Sequence, residues 1–208
     1  MKKIKYILLL FAAMFQLPLS AQDADVILDK VVAGIKADAP VRMDYSYSVY
    51  DDDGEMLQSD KGVIYIDDNR YALLMQDMKV WCNGATQWSY MREIDEIYVT
   101  DASSDEAQNL SPLYVIESYR DGYDVSLAEK GKDWSVKLQA KDDEADVKSV
   151  ELFISKDNNR LVAMLIHMSG QGYLGVMLDG YTPSCGVDNG IFECPLDEYP
   201  AVEVIDMR

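Results

Sequence analysis

Three cysteines, one histidine and short runs of acids are the residues of this chain able to start covalent or acid–base chemistry. None has the company such chemistry needs. The histidine, His167, sits in the apolar run Leu161–Met168 with no nucleophile elbow nearby, so a Ser-His-Asp triad has nothing to build on and a structural role is expected. Cys82, between Trp81 and Asn83, reads as a buried free thiol, because a catalytic thiol needs a base beside it. A zinc site wants several His or paired Cys ligands, and with these missing no metal and no cofactor is expected. Cys185 and Cys194 lie close together in the Pro- and Gly-punctuated stretch from Thr182 to Pro195, and a disulfide closing that loop is expected. The acid runs Asp51–Asp53 and Asp142–Glu144 fall at turn-like positions. Asp51-Asp-Asp-Gly-Glu55 begins like a calcium loop but lacks the remaining ligands, so a plain turn is expected. A hydrolase built on these acids is the weakest functional reading.

The chain has 208 residues, with 19 Lys and Arg against 37 Asp and Glu, a net charge of −18. So acidic a balance argues against nucleic acid or an anionic membrane surface as partner. Met1-Lys-Lys-Ile-Lys5, the apolar run Tyr6 to Phe15 and the small-residue site Leu19-Ser20-Ala21 read as a secretory signal peptide. The run is too short for a membrane span. Cleavage after Ala21 would leave residues 22–208 as one domain beginning at Gln22, with no cysteine at the cut to carry a lipid anchor.

The rest of the chain supplies mostly strands. Ile27, Val31 and Ile35 recur every fourth residue between Asp23 and Asp38 and predict a first helix, with Leu28 and Val32 widening its stripe. After Pro40 the period falls to two: Val41, Met43, Tyr45, Tyr47 and Val49 alternate with polar residues. Strands follow at 58–67, 70–76, 79–82, 86–92 and 96–100, with Asn83-Gly84 marking a tight hairpin. Residues 102–108 read as a loop. Ser111-Pro112 opens a short helix to Tyr119 that must lie on the sheet. Strands resume at 134–140, 150–154, 161–168 and 173–178. About ten strands with one N-terminal and one internal helix predict a mainly β (α+β) fold, a single curved antiparallel sheet with helices on one face. Met43, Met75, Met78, Met91, Met164, Met168 and Met177 fall in or beside strands. Methionine adapts to shape, which suits a Met-rich core or a deformable apolar cavity, the core being the simpler reading.

Several segments together resemble the periplasmic outer-membrane lipoprotein carrier (LolA) family. Gly62-Val-Ile-Tyr-Ile-Asp-Asp-Asn-Arg-Tyr71 is similar to its glycine-led strand, turn and aromatic strand. Val80-Trp-Cys-Asn-Gly-Ala-Thr-Gln-Trp-Ser-Tyr90 resembles its Trp-x-Tyr hairpin. Ser111-Pro-Leu-Tyr-Val-Ile116 resembles its internal helix, and Phe192-Glu-Cys-Pro195 with Val202–Arg208 its closing motif. The resemblance implies a half-open β-barrel lidded by the N-terminal and internal helices, and a monomeric carrier rather than an enzyme. Such a carrier works in the periplasm, shielding the acyl chains of lipoproteins. It receives them from an inner-membrane lipoprotein-releasing transporter and yields them to an outer-membrane acceptor. A relative that binds another lipid or glycolipid, or senses lipidated proteins, would share the fold.

In that frame Ile64, Ile66, Tyr71, Leu73 and Met75 form one wall of the lipid cavity. Trp88 and Tyr90 extend it, and Leu113, Val115 and Ile116 close it from above. Parity rests partly on the match at Tyr71, because residues 63–66 and 71–75 are apolar on both faces; a slip of one would select Val63, Tyr65, Ala72 and Leu74 instead. The family often carries Arg-Pro in the turn before the aromatic strand, an Arg thought to hold the lid. Asp67 and Asp68 stand there in this chain. Either Arg70 substitutes, or lid control differs, or the cargo does.

Overall fold

A computed structural model describes residues 21–109, 111–117, 122–170 and 172–208. The expected leader lies outside them except for Ala21, which opens α1, and so do the side chain of Val115 and the expected helix end at Tyr119. Helix α1 spans Ala21–Asp38, with Asp23 suiting the positive end of the helix dipole. One face of it is buried: Ala24, Ile27, Leu28, Val31 and Ile35.

Beyond a cis Ala39–Pro40 peptide the alternation becomes strand β1, Val41–Tyr50, whose Val41, Met43, Tyr45 and Tyr47 are buried. A turn at Asp51 follows, its carboxylate accepting the N–H groups of Asp53 and Glu55 at 3.0 and 2.8 Å. Next come β2 (Met56–Asp67), β3 (Arg70–Leu74), β4 (Met78–Cys82), β5 (Thr86–Met91) and β6 (Glu96–Asp101). The β4–β5 turn is the expected one: Gly84 has φ +91° and Asn83 Oδ1 accepts from Ala85 and Thr86.

Two short helices come next, α2 (Asp105–Asn109) in the stretch read as loop and α3 (Pro112–Glu117). Strands β7 (Tyr123–Lys130), β8 (Asp133–Ala140), β9 (Val147–Ser155), β10 (Leu161–Met168) and β11 (Tyr173–Thr182) precede two 3-10 turns, Asn189–Phe192 and Leu196–Glu198, and β12 (Glu203–Asp206).

The twelve strands of the described residues form one curved open sheet in the order β12-β6-β5-β4-β3-β2-β1-β11-β10-β9-β8-β7. Every pairing among them is antiparallel except β12 with β6. Strand β7 escaped the sequence reading because Asp124, Ser126 and Glu129 sit on an edge, where one face is wet and its apolar alternation is short.

Apolar side chains gather in two clusters, one on each side of the sheet. The larger joins α1, Leu113 and Ile116 of α3 and the inner face of β1–β4 and β7–β11. The smaller lies behind β2–β6, where Phe192 and Cys194 of the C-terminal segment meet Ala72, Trp81, Ile97 and Val99. Arg70 fastens that segment: its guanidinium stands 4.7 Å over the Phe192 ring, donates to Asn189 at 3.1 Å and pairs with Asp67.

Candidate functional site

The inner face is built by strand register. Ile64 stands opposite Met43 and Leu73, Ile66 opposite Val41 and Tyr71, and Val80 opposite Leu73. Across β1 an apolar row continues Tyr47–Val176–Met164–Leu152–Val136–Leu127, and a second runs Val49–Leu174–Ile166–Val150–Leu138–Val125. Of the residues named from the sequence, Ile64, Ile66, Tyr71, Leu113 and Ile116 are buried in this cluster, and Leu73 and Met75 pack against it half-buried. The alternates Tyr65, Ala72 and Leu74 belong to the opposite cluster. The β7–β11 rows had a readable signal in their own alternation, but nothing in one strand says which neighbours share its face.

Two expectations about side chains fail. Trp88 and Tyr90 do not extend the wall. Trp88 pairs with Trp81, and both aromatics pack in the outer cluster with the C-terminal segment, Tyr90 at 4.8 Å from the Tyr199 ring. Their neighbours Gln87 and Ser89 take the inner face, beside Cys82 and Val80. The reason is that β2–β6 is covered on both sides, so an aromatic alternation there fits either face. Nor are Cys185 and Cys194 bonded: all three cysteines are free thiols. Cys185 Sγ is held 3.2 Å from the Pro40 carbonyl, whereas Cys194 is buried behind the sheet, and burial pushes its pKa up to about 11.

His167 is exposed near the end of β10, 5.5 Å from Tyr173. Arg70 faces the C-terminal segment and therefore does not replace an arginine reaching toward the helices.

Polar groups sit at defined places on this face. The Tyr71 hydroxyl donates to Gln87 Oε1 under α2, with the Ala107 carbonyl at 3.4 Å. Tyr45, only 6% exposed, lies with the hydroxyl end of its ring over Gly62, and that hydroxyl finds no hydrogen-bond partner among the described residues. Desolvation raises the pKa of both phenols, so they stay neutral donors.

The helices over this face meet each other at an exposed ion pair, Lys36 Nζ to Glu117 at 2.7 Å, which raises the Lys36 pKa with Asp68 of the β2–β3 turn adding to it. Surface pairs of this kind contribute roughly 0–1 kcal/mol, so this one joins the helices weakly. A cleft of about 420 Å³ opens between α1 and α3 along Leu28, Val32 and Ile116, and another of about 310 Å³ lies between α1 and the β9–β10 turn.

An open curved sheet with one continuous apolar face, packed against helix α1, defines a class of mainly β α+β folds built on a single sheet. The chain belongs to the outer membrane lipoprotein carrier protein LolA family, whose sequence profile matches residues 15–171. The closing motif at 192–208 therefore lies beyond the matched stretch. The fold is similar to that of an uncharacterized conserved protein from Thermus thermophilus, at TM-score 0.57 and 10% identity, covering 89% of this chain and 99% of that one. A LolA superfamily protein from Nitrosomonas europaea aligns at TM-score 0.47 and 8% identity over 83% of this chain and 98% of its own. A putative outer membrane lipoprotein-sorting protein domain from Vibrio parahaemolyticus aligns at 0.40 and 10%, over 84% and 97%. At 10% identity the Thermus likeness shows a shared fold. No curated protein matches the chain.

Proposed function

We propose that this protein is a periplasmic carrier, exported by residues 1–21, that binds the acyl chains of lipoproteins on the inner face of its sheet and escorts them across the periplasm. The inner-membrane lipoprotein-releasing transporter would load it and an outer-membrane acceptor would empty it. The observation that carries this reading is the continuous apolar face whose covering helices touch each other through an exposed ion pair.

The energetics favour exchange. A buried methylene is worth about 0.8 kcal/mol, so a chain of roughly sixteen carbons gains on the order of 10 kcal/mol by leaving water. Ile27, Leu28, Val31 and Ile35 of α1 are what it would displace. At roughly 1.5–3 kcal/mol each they represent a similar sum. Helix and ligand are thus near-equal competitors for one wall, which is what reversible loading requires. No group on this face needs to react. Asp67 and Asp68 in the β2–β3 turn, with Arg70 turned to the other side, support a second version of the same reading, in which the cargo is another acylated lipid.

Leu73→Glu tests both. Leu73 is half-buried at the centre of the wall, so its carboxylate would stand where a chain should lie while retaining some water. The variant should keep its circular dichroism spectrum and lose uptake of a fluorescent acyl probe. A folded variant that loads like wild type removes the carrier reading; mass spectrometry of lipid co-purifying from native periplasm identifies the cargo.

A further inference from the structure

Gly34 sits in the interior of α1, where glycine is among the costliest residues. Its backbone is not in the left-handed region, and a Cβ placed there would meet nothing within 4 Å. Neither backbone conformation nor close packing asks for glycine at this point. What adjoins it is the cleft of about 310 Å³, whose walls include Val31, Ile35, Met43 and Leu161, all members or neighbours of the inner apolar cluster.

The rim of that cleft is polar and carries a cation. Arg160 Nη2 donates to Asp38 at 3.2 Å, its guanidinium stacks 3.9 Å over the Tyr181 ring, and the Tyr181 hydroxyl donates to the same carboxylate oxygen at 2.9 Å. Stacking and pairing hold the guanidinium plane, and one bond to Asp38 leaves donors of its fork for a further acceptor. An apolar slot with a pre-oriented cation at its mouth matches an amphiphile with a long tail and an oxygen-rich end.

Building on the carrier reading, we propose that this cleft is the doorway to the inner face: an acyl chain passes tail-first beside Gly34, and its carbonyl end, whether ester, amide or carboxylate, comes to rest on Arg160. The missing side chain at position 34 keeps the path clear. The energetic disadvantage of a mid-helix glycine is then explained by function.

The test uses Gly34→Phe, which fills the slot from the helix side, and Lys30→Phe, an exposed α1 control away from the cleft. A pyrene-labelled palmitic acid is titrated into each protein, then displaced with a synthetic triacylated lipopeptide or with free palmitate, and melting is followed by circular dichroism. Wild type and Lys30→Phe should bind alike, and Gly34→Phe should bind at least roughly tenfold more weakly without melting earlier, since the phenyl ring occupies the path. Gly34→Leu, a smaller plug, carries the same expectation should the phenylalanine disturb folding. Arg160→Gln should weaken direct binding of the pyrene-labelled palmitic acid by roughly tenfold, the usual worth of a hydrogen bond to a charged donor. A folded Gly34→Phe that binds like wild type while Leu73→Glu does not would overturn the doorway and leave the carrier standing. An Arg160→Gln protein that binds the probe as tightly as wild type overturns the placement of the carbonyl end. Wild type that takes up no probe removes the carrier reading, and the doorway falls with it.

Discussion

Replacing Gly62 with alanine should be disproportionately harmful, and Tyr45 should be the reason. A Cβ on Gly62 would stand 2.3 Å from Cζ and the hydroxyl oxygen of Tyr45 and 2.8 Å from Cε2. Carbon contacts settle at about 3.5–4.0 Å, so the ring must retreat by roughly 1 Å. It has little room: Tyr45 is 6% exposed, and its ring lies 6.4 Å from that of Tyr47. Overpacking of this kind costs about 1–3 kcal/mol, against total stabilities of roughly 5–15 kcal/mol, so the variant still folds.

Tyr45→Leu removes the part of the ring that lies over Gly62, together with a hydroxyl that has no partner among the described residues. In that background Gly62→Ala should cost little, giving a coupling of about 1–2 kcal/mol in the double-mutant cycle. Urea unfolding of the four proteins measures it, provided the slope stays constant. Costs that add to within about 0.5 kcal/mol would show that the ring does not need the glycine, and the geometry argued for this stretch of the wall would be wrong.

Gly34→Ala should stabilise the protein by about 1 kcal/mol in the same urea experiment, because the helix gains propensity and the methyl meets open space. Alkaline pH should destabilise it. Burial, then the bond to Asp38, pushes Tyr181 from 10.0 up to about 12, and burial raises Tyr45 and Tyr71 as well. A folded pKa above the unfolded one means that stability is whole below pH 10 and drains away as pH climbs toward about 12. Tyrosinate absorbance followed against pH should show these phenols ionising late and together with loss of the fold. Thiol titration should find Cys185 reactive in the native protein, with Cys82 and Cys194 reacting only on unfolding; burial raises the pKa of both.

Much of the molecule is legible in its residues. The two-residue period of β1, the Asn83-Gly84 turn and the stripe Ile27–Val31–Ile35 each report a local preference that tertiary structure then obeys. Gly62 is visible in the sequence as the glycine that leads the apolar run 63–66, though only the structure shows the ring it accommodates. The aromatic pair Trp88 and Tyr90 misled because alternation states which residues share a face and not which face is inner. That information lies in what packs on each face, above all a C-terminal segment more than a hundred residues away, where Phe192 and Tyr199 sit. The cysteines misled for a related reason: nearness along the chain does not say that Cys185 is drawn to the Pro40 carbonyl while Cys194 packs in the cluster of Trp81 and Phe192.

The outer cluster has a mechanical consequence. Behind β2–β6 the C-terminal segment is strapped on by Arg70 over Phe192 and by Lys79, whose Nζ reaches the Tyr199 hydroxyl at 3.0 Å. Behind β7–β11 the sheet turns Lys137, Gln139, His167 and Met177 outward to water. One half of the sheet is a laminated plank and the other a single ply. Bending stiffness rises steeply with the number of bonded layers, so the two halves flex unequally. Any swelling of the interior must be taken up by the thin half, hinged along β1, while the thick half keeps its shape. Amide exchange should map this as slow β3–β6 amides beside a β7–β10 region that opens at lower free energy.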